Sequence, residues 1–376
     1  VTRVLVYTHV PRTFPPVTGY GRHAVEVVTR LAARADTAVE VLASAEFVGP
    51  DGRLDPRSPF ARFPVRAFPL PERRAEHLWR LVGRPRLDPH LGPADVVYSP
   101  FETYLPVRSR PWAVTIHDVM AFEPDLPWSG SWRHRLFRAK WAVWVPAAVR
   151  RAAVVFTSTE FSKRRIVELV GADPDKVVVV GNGVDDSFRA AADLDPAGLP
   201  RPCPGPYLLV VGGLVRHKGG EVVLQVADVL ARAGSDIRVV VAGRSDPRLD
   251  AAAGVRANVS RLGRVPDADL IPLLRGALAL LFPSWYEGFG LPAVEAMAAG
   301  VPAIVSDRGS LPEVVGECGL VVSPDQPDEM ADRAVWLARH PAERAGLAAR
   351  GREWSRRYTW AAAADRVHAG LVQAAG

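Results

Sequence analysis

FPSWYEGFGLPAVEAMAAG, residues 282–300, joins an apolar strand end, a glycine-flanked turn, a helix start and two glutamates in one run. Glu287 precedes Gly288-Phe289-Gly290, where glycines let backbone N–H groups approach a ligand with no Cβ in the way. Pro292 suits the first helical position, since its missing N–H is no loss there. The amides of Leu291, Ala293 and Val294 then face whatever anion sits at the helix mouth, and a diphosphate fits that place. Glu295 stands one turn into the helix, where a carboxylate can accept two hydrogen bonds from a vicinal diol such as a ribose edge. Glu287, in the loop, can hold hydroxyls of a second polyol. Surface carboxylates are commonly just solvated. Here, however, the following residues are small and apolar, and the helix closes at Gly300 before a run, residues 301–305, that reads as a buried strand.

Outward from this segment, short apolar runs alternate with helical stretches. Residues 4–7, 39–42, 96–98, 113–116, 154–157 and 177–180 read as buried strands of a first series. Prolines and glycines between residues 188 and 206 deny both helix and strand. A second series follows at 207–211, 238–242, 258–262, 278–282, 301–305 and 319–322. Buried strands alternating with helices mean parallel α/β sheets. A chain of 376 residues, 48% of them hydrophobic, suits two such domains.

On these residues, the segment 282–300 resembles the donor-site motif of retaining glycosyltransferases of family 4, which have the GT-B fold. The resemblance covers nearly the whole chain and is strongest from residue 207 to 322. It implies two Rossmann-like α/β domains whose parallel sheets face a central cleft. Residues 1–188 would form the acceptor-side domain, 189–206 the linker and 207–358 the nucleotide-sugar domain, with 359–376 a last helix packing back on the first. The implied activity moves a hexose-type sugar from a nucleoside-diphosphate sugar to an acceptor hydroxyl, with retention and with no cofactor or metal. The acceptor would be a small molecule or natural product, a saccharide or a lipid-linked glycan.

Other constellations fit this reading. GGLVRHKGG, residues 212–220, follows a strand. Gly212 and Gly213 permit a tight turn near phosphate, and Arg216 and Lys218 supply charge for strong hydrogen bonds to its oxygens. In the family, the lysine matching Lys218 neutralises the leaving nucleoside diphosphate. Many relatives carry an arginine where this chain has Gly213, so either Arg216 takes that role or Lys218 and amides hold the diphosphate alone. The segment around Arg264 and Val265 resembles the part of the family that lies along the nucleobase; by itself it is a strand end and a helix cap. His117 and Asp118 end an apolar strand, where open α/β sheets place ligand groups. A lone histidine there is often structural, but the family has a similar one facing the donor sugar.

Gly19-Tyr20-Gly21-Arg22-His23-Ala24 also fits the dinucleotide pattern G-x-G-x-x-A, with Glu40 about 20 residues on. A dehydrogenase needs the first glycine directly at the strand end, however, and a long loop precedes Gly19. In the transferase reading, Gly19 and Gly21 let that loop close over the diphosphate. Ser310 to Glu313 reads as a capping box, and Asn182-Gly183 as a tight turn needing no ligand.

The net charge of +6 and pI near 9.6 favour anionic partners, but no RNA-stacking or zinc-finger pattern accompanies them, so nucleic acid is not expected. Cys203 and Cys318 stand far apart with no ligand-spaced neighbours, which argues against a metal or disulfide framework. With no leader and no long apolar run, the expected location is cytoplasmic. Residues 128–151 combine four tryptophans with five arginines and a lysine. Their aromatics are expected to be buried or to line the acceptor side, and contact with an anionic membrane surface is the less favoured alternative. A nucleotide-sugar epimerase or hydrolase of the same fold and a non-catalytic sugar-nucleotide sensor are the competing functions.

Overall fold

A computed structural model describes residues 1–13 and 19–376. The chain divides into two compact units, Val1–Gly183 with Trp360–Gly376, and Val184–Thr359.

The first unit holds a parallel sheet of β1 (Thr2–Tyr7), β2 (Thr37–Ser44), β3 (Val65–Phe68), β4 (Val96–Ser99), β5 (Trp112–Thr115), β6 (Val154–Thr157) and β7 (Val177–Val179). Their order is β3-β2-β1-β4-β5-β6-β7, so the winding reverses between β1 and β4. Val4 lies opposite both Val39 and Val96. Every residue of β4, β5 and β6 is buried, because helices cover both faces of a parallel sheet. β3 escaped the sequence reading for a physical reason. It is a four-residue edge strand in which only Phe68 is fully buried, so it lacks a continuous apolar run.

The helix Gly19–Ala32 buries Ala24, Val27, Val28 and Leu31, the spacing of one helical face. Beside it packs the last helix, Trp360–Ala375, which buries Trp360, Ala363, Ala364, Val367 and Leu371. Two glycines permit that docking. A Cβ on Gly183 would lie 2.2 Å from the Trp360 nitrogen, and one on Gly370 would lie 2.6 Å from the Phe156 ring. The Asn182-Gly183 turn is thus the seat of the final helix.

The second unit holds β8 (Tyr207–Val211), β9 (Arg238–Ala242), β10 (Val259–Gly263), β11 (Ala279–Phe282), β12 (Ala303–Ser306) and β13 (Leu320–Val322), in the parallel order β10-β9-β8-β11-β12-β13. Side chains alternate between its faces. Leu209, Val240, Leu280 and Phe282 pack with the helix Leu291–Ala298, while Leu208, Val210, Val239 and Val241 pack with the helix Gly220–Arg232. Each such buried side chain contributes roughly 1.5–3 kcal/mol of transfer free energy. The stretch read as a linker starts differently: residues 186–191 form a helix whose Phe188 and Ala191 belong to this unit's core, so the chain enters the second unit at Val184.

Candidate functional site

In the second unit the loops leaving β8, β9, β10, β11 and β12 meet at the carboxyl edge of the sheet, where open α/β sheets bind ligands. Gly212 and Gly213 have φ of 99° and 80°, and both amides donate to the Ala242 carbonyl at 2.8 and 3.0 Å. The loop after β9 lies directly on this turn: a Cβ on Gly213 would fall 1.9 Å from the Arg244 carbonyl oxygen. The Gly243 amide in turn donates to Gly263 at 2.6 Å, which ties the Arg264 loop to the same edge. Arg264 is exposed, and Val265 is half-buried against the core.

Lys218 folds back over the first turn. Its Nζ lies 2.5 Å from where a Gly212 Cβ would stand and 5.8 Å from the Phe282 ring centroid. Its loop is locked to the Glu287 loop, because the Trp285 amide donates to the His217 carbonyl at 2.8 Å and Gly219 abuts the Pro283 carbonyl. Burial pushes the His217 pKa down, so its ring adds no charge beside the lysine at neutral pH. Arg216 is exposed in the same turn.

Glu287 is half-buried and accepts a hydrogen bond from the Ser284 hydroxyl at 3.0 Å. The helix Leu291–Ala298 follows, capped by Gly290 at φ 94°, with Pro292 in its first turn. A side chain at Gly290 would strike Leu311, so that glycine brings the helix mouth close to the next loop. Of the three amides expected to face an anion, that of Ala293 is already bonded to the Gly290 carbonyl at 3.0 Å. Glu295 is 6% exposed. Ser310 does not form the expected capping box. Its backbone is helical and its hydroxyl makes no cap bond, pointing instead to the carbonyls of Glu287 and Phe289.

In the first unit, His117 follows β5 and is 4% exposed. Its amide donates to Glu102 at 3.0 Å, and its Nε2 lies 3.1 Å from the Pro100 carbonyl oxygen. A carbonyl only accepts, so Nε2 carries the proton and Nδ1 is left as an acceptor. Burial lowers the His117 pKa to about 4, so the ring is neutral at pH 7. Tyr20 stacks on it at 4.7 Å between centroids and donates to Asp118 at 2.7 Å. His23 meets it edge-on at 4.9 Å and bonds Asn182 at 2.7 Å.

Gly19 and Gly21 are not loop residues. They lie in the first turn of the helix Gly19–Ala32, and residues 14–18 fall outside the described residues. A further helix, Val10–Thr13, separates β1 from Gly19, and Glu40 pairs with Arg66. The dinucleotide geometry is therefore not formed.

The sequence reading missed a polar cluster in the first unit, where Tyr7 ends β1. The Tyr7 hydroxyl lies 3.4 Å from Glu72 and 3.3 Å from Glu76, His9 lies 3.6 and 3.8 Å from the same two acids, and Arg80 bonds Glu76 at 2.8 Å. Arg12 stands 3.6 Å from Glu102. Burial raises the Glu72 pKa to about 8 and that of Asp118 to about 6, and lowers that of His9 to about 4. Glu72 and Glu76 come from a helix whose only sequence signal is amphipathicity. Among the described residues no group of His, Cys, Asp or Glu is arranged to hold a metal ion, and no helix is long and apolar enough to cross a membrane.

The family model described as Glycosyl transferases group 1 matches residues 193–354, and that described as Glycosyltransferase Family 4 matches residues 17–188. The chain is 27% identical over 375 residues to the O-antigen chain mannosyltransferase B of Escherichia coli, covering 92% of this chain and 93% of that one. It is 31% identical over 289 residues to the 2-deoxystreptamine glucosyltransferase of Streptomyces kanamyceticus, covering 70% and 73% of the two chains. With several other curated relatives the match spans only 51–59% of their length. Among solved structures, the sucrose-phosphate synthase of Thermosynechococcus elongatus superposes with a TM-score of 0.72 over 99% of both chains at 19% identity, a likeness of fold.

Proposed function

Because this chain belongs to the family 4 glycosyltransferases of GT-B fold, we propose that it moves a hexose-type sugar from a nucleoside-diphosphate sugar to an acceptor hydroxyl with retention of configuration. The observation that carries this is the joining of the Lys218 turn to the Glu287 loop and the Leu291 helix mouth. An ammonium and a helix N-terminus at one sheet edge suit a group that gains negative charge as a bond breaks.

In this reading the diphosphate lies against Lys218, the glycine turn and the Leu291 end of the helix, with Arg216 beside them. Arg244, whose main chain lies on the Gly213 turn and whose side chain is exposed, adds a further cation at this edge. Glu295 takes the ribose diol, the main chain at Arg264 and Val265 pairs with the base, and Glu287 holds hydroxyls of the sugar. His117, neutral and with Nδ1 open as an acceptor, takes a hydroxyl proton of the substrate as a hydrogen bond. As the bond between the anomeric carbon and the phosphate oxygen breaks, the acceptor oxygen bonds to the same face of that carbon. The acceptor proton passes to the departing phosphate oxygen. Neither a carboxylate nucleophile nor a metal is needed, since cations and amides carry the developing charge.

The test begins with a panel of UDP-, GDP- and ADP-sugars, in which the true donor raises the melting temperature most by mass action. Reaction with that donor and candidate acceptors, including aminocyclitols and saccharides, follows with and without chelator. Nuclear magnetic resonance of the product should give the donor's own anomeric configuration. An inverted product, loss of activity with chelator, or isomerised donor formed without acceptor would each overturn the corresponding part of the reading.

A further inference from the structure

A cavity of about 440 Å³ in the first unit is lined by Arg80, Arg84, Arg86, Arg108, Arg150 and Arg151, with no carboxylate in its wall. Two of the six have internal duties. Arg80 bonds Glu76 at 2.8 Å and lies 5.0 Å from the Trp144 ring, and Arg151 bonds the Tyr104 hydroxyl. Arg84, Arg86, Arg108 and Arg150 are exposed and form no ion pair among the described residues. Guanidinium groups gathered without acids repel one another, and their planar forks match phosphate oxygens. A second arginine-bearing cavity, beside the helix Pro341–Ser355, does have an acid in its wall: Glu353, which pairs with Arg356, while Arg352 there pairs with Asp193.

The surroundings of the unpaired cavity are apolar and exposed. Of fifteen exposed large hydrophobic residues among those described, seven fall within residues 78–82 and 132–143: Leu78, Leu81, Val82, Trp132, Leu136, Phe137 and Val143. Leu81, Val82 and Val143 themselves line the cavity. A ladder of rings, Phe137 to Trp141 at 5.4 Å and Trp141 to Trp144 at 5.5 Å, joins the helix Trp132–Ala142 to it. That helix buries only His134, and Trp132 is 69% exposed. The chain carries no Asp or Glu from residue 126 to 159. Trp144 is buried, whereas Trp132 is exposed, because its helix has no single apolar face to bury.

We propose that this face docks the protein on an anionic phospholipid bilayer, with lipid phosphates in the arginine cavity and Trp132, Leu136, Leu81 and Val82 in the headgroup region. An indole at the water boundary and a basic fringe that lacks acids suit a lipid surface, whose charge is one-signed and whose interior is apolar. This proposal does not depend on the sugar-transfer reading.

The experiment is sedimentation of the intact chain with vesicles of phosphatidylcholine, with and without phosphatidylglycerol, across a salt series. Each basic residue at an anionic surface is worth roughly five-fold in partitioning. Binding is therefore expected only with phosphatidylglycerol, falling with salt, and about twenty-fold or more weaker in the R84E/R86E double variant. W132A/L136A should weaken it while leaving the salt dependence. Unchanged melting temperature and nucleotide binding check that both variants fold. Equal binding to neutral vesicles, or unchanged binding in either variant, overturns the proposal. So does binding of soluble polyglutamate through the same arginines without vesicle binding, which would make this face a protein-docking surface.

Discussion

The Ser310 hydroxyl lies 2.9 Å from the Glu287 carbonyl oxygen and, as a forked donor, 3.0 Å from that of Phe289. The Ser310 amide also donates to Glu287 at 3.1 Å. One residue thus holds both ends of the turn that sets Glu287 and the start of the Leu291 helix. Ser310→Ala leaves two carbonyls without that donor, at a cost of about 1–2 kcal/mol in stability. Because the turn positions Glu287, proposed to hold sugar hydroxyls, transfer should fall about ten-fold or more, with KM rising. Normal kinetics in a folded S310A variant would show that the turn holds its shape without the hydroxyl.

Lys218 and Glu295 should separate turnover from binding. If Lys218 stabilises charge that grows as the donor bond breaks, as proposed, Lys218→Ala should drop kcat about 100-fold while the nucleotide Kd changes little. Glu295→Ala should instead raise the donor Kd, with a smaller effect on kcat. Stopped-flow binding and steady-state rates measured on both variants check this. The opposite pattern would reverse the two roles.

Putting back the arginine that many relatives carry should harm this protein. Gly213 has φ of 80°, and a Cβ there would collide with the Arg244 carbonyl. The left-handed backbone alone costs a side chain about 1–2 kcal/mol. Gly213→Arg is expected to lower the melting temperature by several degrees and to reduce activity. A variant as stable as the parent and more active would mean that the loop after β9 moves aside. Arg244→Ala, which spares the turn, should weaken nucleoside diphosphate binding several-fold.

Acid and base should each destabilise the first unit, through different groups. Burial holds His9, His23 and His117 at about 4, 3 and 4, below the ordinary 6.5, so the unfolded chain binds their protons first as pH falls. Their part in stability is present above about pH 6.5 and is lost toward pH 4. Glu72 at about 8 and Asp118 at about 6 act the other way, since the folded state keeps protons that the unfolded chain releases near 4.5 and 3.8. Stability should therefore peak near pH 6.5 and decline toward pH 8. Glu72→Gln should flatten that alkaline decline, and urea unfolding of both proteins at pH 6.5 and 8 measures it. A wild-type midpoint that does not fall over this interval would refute the assignment.

Much of the candidate site in the second unit was legible in the sequence. Phe282 to Gly300 combines local signals, glycines for close approach, proline in the first helical turn and acids at set offsets, and each works within one loop and one helix. The parallel sheets were legible for a similar reason: strands buried on both faces, such as β4, β5 and β6, are uninterrupted apolar runs. Where burial is partial the signal fades, as in β3, and the edge strand was missed. The helical placement of Gly19 and Gly21 was missed because a glycine pair reads alike in a turn and at a helix start.

Sequence by itself determined the alternation of strand and helix, the glycine and lysine turns, and hence the family, because all of these are written in neighbouring residues. Tertiary structure alone decided what meets across long separations: Ser310 with Glu287, Arg244 with Gly213, Glu72 and Glu76 with Tyr7, and Trp360 with Gly183. Those pairings depend on strand order and on which loops share a sheet edge. Strand order comes from packing whole faces against one another, and no local pattern of residues encodes it.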